Sequence, residues 1–256
     1  MTLSRIGTAV AWAFVAVVML FLYAPLVPPV IRSFAGAGGD AGLFVNYAAI
    51  IDDQRLMRAA RLTVVVGFLV AVITPVLGLL AAEMVRVLRI PRLIVGVVLV
   101  PLFVPGISMG LATGLFFQSL GIAPSVLTIT AVQVLWALPF AFLIILTVMA
   151  SFDPVYREAA YMSGATRLQA FFEVEVPHIR QGLLGAAIFS LILSFNETIR
   201  TSVVQGGRNT VQTYLWAQYQ QVGLSPNLFA LMTVLIVATL LLIAVLAVLD
   251  ARARPE

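Results

Sequence analysis

Long apolar runs alternate with short polar breaks along most of this chain. Apolar stretches lie at about 8–31, 62–82, 93–117, 125–149, 183–203 and 228–249. Each is long enough for a helix of about 20 residues crossing the hydrocarbon core of a bilayer. The pattern predicts an all-α membrane protein with six transmembrane helices, residues 1–256 forming a single transmembrane domain. Pro25, Pro28 and Pro29 predict a bent exit from the first run, and Pro75 a kink in the second. Pro101, Pro105 and Pro139 fall inside the third and fourth runs, where two readings stand. They either break helices around a translocation route or act as packing kinks. The first run follows Arg5 and precedes Ala35-Gly36-Ala37, which resembles a signal cleavage site. A secretory apolar region is about 7–15 residues. This run is longer and reads as an uncleaved span.

One stretch breaks the alternation. Asp153–Gly182 is polar yet patterned, with apolar runs on both sides. Asp153-Pro154 is a helix start, an Asp N-cap followed by Pro at the first helical position. Val155, Ala159 and Met162 follow at the i, i+4, i+7 spacing of one helical face. Gly164 suits the left-handed stop after such a helix. Thr166 to Gln169 spells a capping box, followed by Leu168, Phe171 and Phe172, and Pro177 is expected to end this second piece. The segment therefore predicts two short amphipathic helices joined at a glycine, outside the membrane. Their apolar face needs a partner or the membrane surface to cover it.

Composition sharpens the picture. Hydrophobic residues make up 62% of the chain and charged residues 10%, against about 25% charged in soluble domains. There is no Cys, which removes disulfides and thiolate chemistry, and all 15 basic residues are Arg. Without Lys there is no P-loop, whose Lys reaches the nucleotide phosphates, and no Schiff-base chemistry. Six spans place both termini on one side. With the N-terminus in the cytoplasm, nine of the 15 arginines lie inside, among them Arg86, Arg89 and Arg92 in the shortest loop. The positive-inside rule then puts Asp153–Gly182 in the cytoplasm.

Residues 32–60 read as a mixed loop with Gly36, Gly38 and Gly39. Arg55, Arg58 and Arg61 share a surface-helix face leading into the second span, and a polar loop with Tyr214, Trp216 and Tyr219 separates the last two. Glu197, beside Asn196 and one turn from Arg200, is the clear charge within an apolar run. An intramembrane carboxylate marks either a pathway or a structural pair, and both readings stay open. His178 reads as a solvated loop residue rather than a metal ligand. Glu173 and Glu175 fall on different sides of a helix, which argues against a paired-carboxylate site. No metal site, cofactor site or nucleic-acid surface is expected.

The central segment also carries a family pattern. Glu158-Ala159-Ala160, then Gly164 and Pro177, resembles the EAA loop of permease subunits in binding-protein-dependent ABC importers. Val100 to Ile107, Ala137-Leu138-Pro139-Phe140 and Ser194-Phe195-Asn196-Glu197 are similar to the spermidine/putrescine-type permeases, in particular their second permease subunit. That family usually has Asp before the Glu, where this chain has Asn196.

The resemblance implies a type I importer permease fold in a bacterial inner membrane. It implies that Glu158, Ala159, Ala160, Gly164, Leu168, Phe171 and Pro177 form an ATPase-coupling loop, Glu158 pairing with a basic residue there. The implied partners are a second, non-identical permease, two cytoplasmic ATPase subunits, an external solute-binding protein and membrane lipid. Glu197, Asn196 and Trp136 are the pathway candidates for a polyamine or related small solute. Two other classes compete. A membrane-embedded enzyme would need several convergent ionisable groups, and an ion-coupled secondary transporter would favour more intramembrane carboxylates and often a repeated architecture.

Overall fold

The computed structural model describes residues 2–35, 43–88 and 90–253; Gly36, Gly38, Gly39, Arg89 and Arg254 lie outside them. All regular structure among the described residues is helical. Two compact units are formed, residues 1–56 with 217–256, and residues 57–216.

In the first unit, α1 (Thr2–Tyr23) runs through a short 3-10 turn into α2 (Val27–Arg32), where Pro25, Pro28 and Pro29 sit. From Gly7 to Arg32 this is a 26-residue apolar stretch, with Trp12, Phe14 and Phe21 exposed as lipid-facing side chains would be. Helices α2 and α3 (Val45–Asp52) pack against α13 (Pro226–Ala253). Asn46 ties α3 to the residues just after α2: its Nδ2 donates to the Ser33 carbonyl at 2.8 Å and the Ala35 carbonyl at 3.1 Å.

Helix α4 (Gln54–Leu88) leads into the second unit, and its 35 residues outrun the expected second span at both ends. At 1.5 Å per residue it is about 50 Å long, so its ends project beyond the hydrocarbon core. Arg86, expected in a loop, is therefore on a helix. Pro75 stays within continuous helix.

The third run is not one straight span. It forms α5 (Pro91–Phe103) and α6 (Gly106–Ser119), bent at 105° to each other. The cause is local. Proline disfavours helical backbone in the residue before it, and Val104 is extended at ψ 124°. Pro101 and Pro139 break nothing; they lie inside α5 and α7.

Helix α7 (Val126–Ala150) is the central post of this unit. It starts at a Ser125–Thr128 capping box, and Ile129, Val132, Phe142 and Ile145 are fully buried on it. Helix α10 (Val176–Phe195) packs along it. The expected fifth span also differs. Helix α10 ends at Phe195, and a separate α11 (Ile199–Val204) follows. Side chains hold the break open, as polar residues do when they compete for backbone groups. Asn196 Nδ2 donates back to the Ile192 carbonyl at 2.8 Å, and the Glu197 carboxylate accepts the Arg200 backbone N–H at 2.7 Å. Helix α12 (Val211–Val222) carries Tyr214, Trp216 and Tyr219, which were expected in a loop. By length and apolar composition, four described helices can cross a membrane, and a fifth if the bent α5–α6 pair counts as one. The apolar part of α13, Pro226–Leu241, is shorter.

Candidate functional site

Two polar features stand out, both within residues 57–216. The first is the segment after α7. Asp153 caps α8 (Pro154–Met162), its carboxylate accepting the Val155 N–H at 2.9 Å. The helix ends in a Schellman motif: Ala165 N–H donates to the Ala160 carbonyl and Gly164 N–H to the Tyr161 carbonyl, both at 3.0 Å. That closure needs a left-handed residue, and Gly164 supplies it at φ 85°. Thr166 then opens α9 (Arg167–Gln169). Its Oγ1 accepts the Gln169 N–H, and the Gln169 amide oxygen accepts the Thr166 N–H at 2.9 Å.

The second helix does not stop at Pro177. After α9 the chain takes a π-helical stretch, Ala170–Glu175, and passes directly into α10, so Arg167–Phe195 is one apolar helix. Pro177 has no N–H to give, but it stands in the first turn of α10, where a missing donor is tolerated,. Val176 N–H reaches the Phe171 carbonyl, and the His178 ring donates from Nδ1 to the Val174 carbonyl at 2.6 Å. His178 is thus a helical residue, exposed and set against the rings of Tyr156 and Phe152, rather than a loop residue.

Glu158 and Ala159 are exposed, as are Val155 and Leu168, and Met162 is 89% exposed. Ala160 and Phe171 are half-buried and Pro177 is exposed. The helix pair is anchored from beneath by Glu175, which does lie on a different side from Glu173. Glu175 is fully buried and accepts a hydrogen bond from Arg86 Nη1, with Arg86 Nη2 at 3.2 Å and Arg157 Nη1 at 3.7 Å. Glu83, one turn before Arg86, holds the same guanidinium at 2.5 Å. The i, i+3 spacing of Glu83 and Arg86 was visible in the sequence; their meeting with Glu175 was not.

The second feature surrounds Glu197, which is 6% exposed and lies in the break between α10 and α11. Arg200, 9% exposed, donates from Nη1 to the Glu197 carboxylate at 2.8 Å. Its guanidinium carbon stands 3.7 Å from the centroid of the Trp136 ring. The guanidinium fits because the α5–α6 bend brings small residues beside it. A Cβ on Gly110 would come within 3.2 Å of the Arg200 backbone, and one on Gly106 within 3.4 Å of the guanidinium. Arg200 Nε, buried, has no hydrogen-bond partner. Nearby, Ser194 Oγ donates to the Gln133 amide oxygen at 2.5 Å, and Gln133 Nε2 donates to Thr201 Oγ1 at 2.9 Å. Gln133 is an amide inside an apolar run, a polar signal legible in the sequence. Asn196 is exposed and stands apart from this cluster, bonded to its own helix.

Glu197, Arg200 and Trp136 are therefore brought together in a net-neutral arrangement. A second cation on the face of Trp136 that Arg200 covers would have to displace the guanidinium. An open groove of about 540 Å³ lies elsewhere, along α6 and the turn after it, lined by Leu115, Phe117 and Ile122 and without a titratable group. Among the described residues no cluster of His, Cys, Asp and Glu could hold a metal.

Comparison with known proteins places these features in context. The model of the family described as binding-protein-dependent transport system inner membrane component matches residues 74–255. The putrescine transport system permease protein PotI of Escherichia coli (strain K12) is 27% identical over 231 residues, covering 84% of this chain and 82% of that one. The spermidine/putrescine transport system permease protein PotC of the same strain is 22% identical over 244 residues, covering 93% and 92%. Among solved structures, a chain of a bacterial ABC transporter involved in the import of the acidic polysaccharide alginate superposes with a TM-score of 0.74. It is 15% identical and covers 96% of each chain.

Proposed function

This chain belongs to the family of binding-protein-dependent transport system inner membrane components, and from that premise we propose that residues 153–182 carry the contact through which ATP hydrolysis drives it. It is a permease subunit of an ABC importer for a small solute, and not itself an enzyme. The proposed topology has six spans with both termini and the α8–α9 pair in the cytoplasm. The nine inside arginines support that orientation,. The proposed assembly is this chain, a second and non-identical permease, two ATPase subunits and an external solute-binding protein.

The observation that carries the coupling role is the uncovered face of the α8–α9 pair. Val155, Met162, Leu168 and Phe172 are all exposed while the helices beneath them are locked by two caps and a Schellman turn. An apolar face on a fixed scaffold next to an exposed carboxylate, Glu158, fits a groove with a basic residue in it. The cargo class we assign is a polyamine or a related small organic solute, supported by the two relatives named for putrescine and spermidine. Glu197, Asn196 and Trp136 are the proposed pathway residues, with Arg200 balancing the carboxylate.

The hydrolytic work belongs to the separate ATPase. Photo-cross-linking with labelled ATP is expected to mark the ATPase subunit of the purified complex and leave the isolated permease chain at background. Saturable labelling of the isolated chain would refute this division of labour.

A further inference from the structure

We propose that Glu175 is a positioning residue for transport, pinning the α8 helix to the end of α4 so that the two move as one piece; this rests on the reading that residues 153–182 dock on the ATPase.

Three separate chain segments meet at this one carboxylate. Arg86 comes from the last turn of α4, Arg157 from α8 beside Glu158, and Glu175 from the start of the long α9–α10 helix. The carboxylate is fully buried, whereas Glu173, two residues earlier, is exposed. Burying a carboxylate is tolerated only with partners that return what water supplied, and here both partners are arginines on other elements. Arg86 is itself held from its own helix by Glu83, through both carboxylate oxygens at 2.5 and 2.6 Å. Its guanidinium is thereby fixed before it reaches Glu175. The backbone at this point is unusual as well. The π-helical stretch ends on Glu175, and such stretches occur often at functional sites,.

The consequence is mechanical. A docked α8 pulled by its partner draws on the 3.7 Å contact between Arg157 and Glu175. The carboxylate end of that contact is buried, so the separation has a cost,. The displacement is passed to α4 instead, whose 35 residues reach across the bilayer. Removing the carboxylate leaves Arg86 and Arg157 facing one another, so α8 is released from α4 although its docking face is untouched.

The absence of Cys from the chain makes the test direct. Val87→Cys on α4 and Ser163→Cys at the end of α8, both exposed, are spin-labelled in the complex with its partner permease and ATPases. The label separation is read by pulsed electron paramagnetic resonance without nucleotide and after trapping with ATP and vanadate. In the labelled parent the separation is expected to be the same in both states. With Glu175→Gln it is expected to differ between them, because α8 follows the ATPase and α4 no longer follows α8. Arg157→Gln leaves the Arg86–Glu175 pair intact and so preserves the fold; it is expected to give the same state-dependent shift. An unchanged separation in both states for both variants overturns the proposal, as does a shift that is identical with and without nucleotide. Loss of the ATPase from the unlabelled parent complex would instead refute the docking reading, and this inference with it.

Discussion

Replacing Glu158 by Arg is expected to leave the chain inserted and assembled with its partner permease, but stripped of its ATPase. Glu158 is exposed on α8 and takes no part in the Glu175 network, so the fold has no use for its charge. In a docked complex that charge would be desolvated against a basic residue. Charge reversal there replaces an attraction with a repulsion in a site that excludes water. Removing one partner of such an interfacial pair already weakens binding by more than about tenfold. Co-purification of the ATPase from membranes is the readout, together with ATP hydrolysis by whatever complex is recovered. Gly164→Leu reaches the same end by another route. Nothing lies within 4 Å of where its Cβ would stand, so the side chain itself has room. The penalty is in the backbone: φ of 85° costs a branched residue about 1 kcal/mol or more,. Relieving that strain opens the Schellman turn and swings α8 relative to α9, which spoils the alignment of Val155 and Met162 with Leu168. Retention of the ATPase and normal hydrolysis in both variants would remove the coupling role from this segment.

The second large effect is expected at Glu197. Glu197→Gln keeps the size of the side chain and an acceptor for the Arg200 N–H, but it deletes the charge that Arg200 faces. Breaking a buried ion pair from one side costs about 3–5 kcal/mol, because the guanidinium is left with the Trp136 ring as its chief support. Arg200 Nε already lacks a partner, so no spare hydrogen bond waits to absorb the loss. The single variant is expected to assemble poorly and unfold at lower temperature. Glu197→Gln combined with Arg200→Gln removes both charges and is expected to recover most of the assembly. That double variant separates the two roles. If the carboxylate also serves the route of a cation, putrescine uptake by the recovered complex is slow while hydrolysis of ATP persists. Uptake at the parent rate in the double variant would confine Glu197 to holding the helix break together.

The parts of this site that could be read from sequence are those decided by neighbours along the chain. Asp153, Gly164 and the Thr166–Gln169 box each act within a few residues, so their letters carry the geometry. Pro105 was legible only as one of several prolines. It breaks its helix because Val104 is driven into extended backbone, whereas Pro101 and Pro139 sit in helices that continue through them. Pro177 misled for a related reason: a proline is tolerated in the first turn of a helix, and here it falls in the first turn of α10, directly after the π-helical stretch,. Glu175 was out of reach. Its partner Arg86 is 89 residues away, and a carboxylate two positions from another looks like surface until that partner arrives. Arg200 shows the same limit. Its pairing with Glu197 follows from a spacing of three, but its seat on Trp136 depends on how α7 and α11 pack.

ATP hydrolysis, relayed through the α8–α9 pair, is expected to move solute through this chain. The most direct measurement is uptake of labelled putrescine into proteoliposomes holding the complete complex, with the solute-binding protein outside and an ionophore present to collapse ion gradients. Uptake is predicted to continue with hydrolysable ATP on the ATPase side and to stop when a non-hydrolysable analogue replaces it. Uptake that is indifferent to ATP and abolished by the ionophore would contradict this coupling and make the chain an ion-coupled transporter.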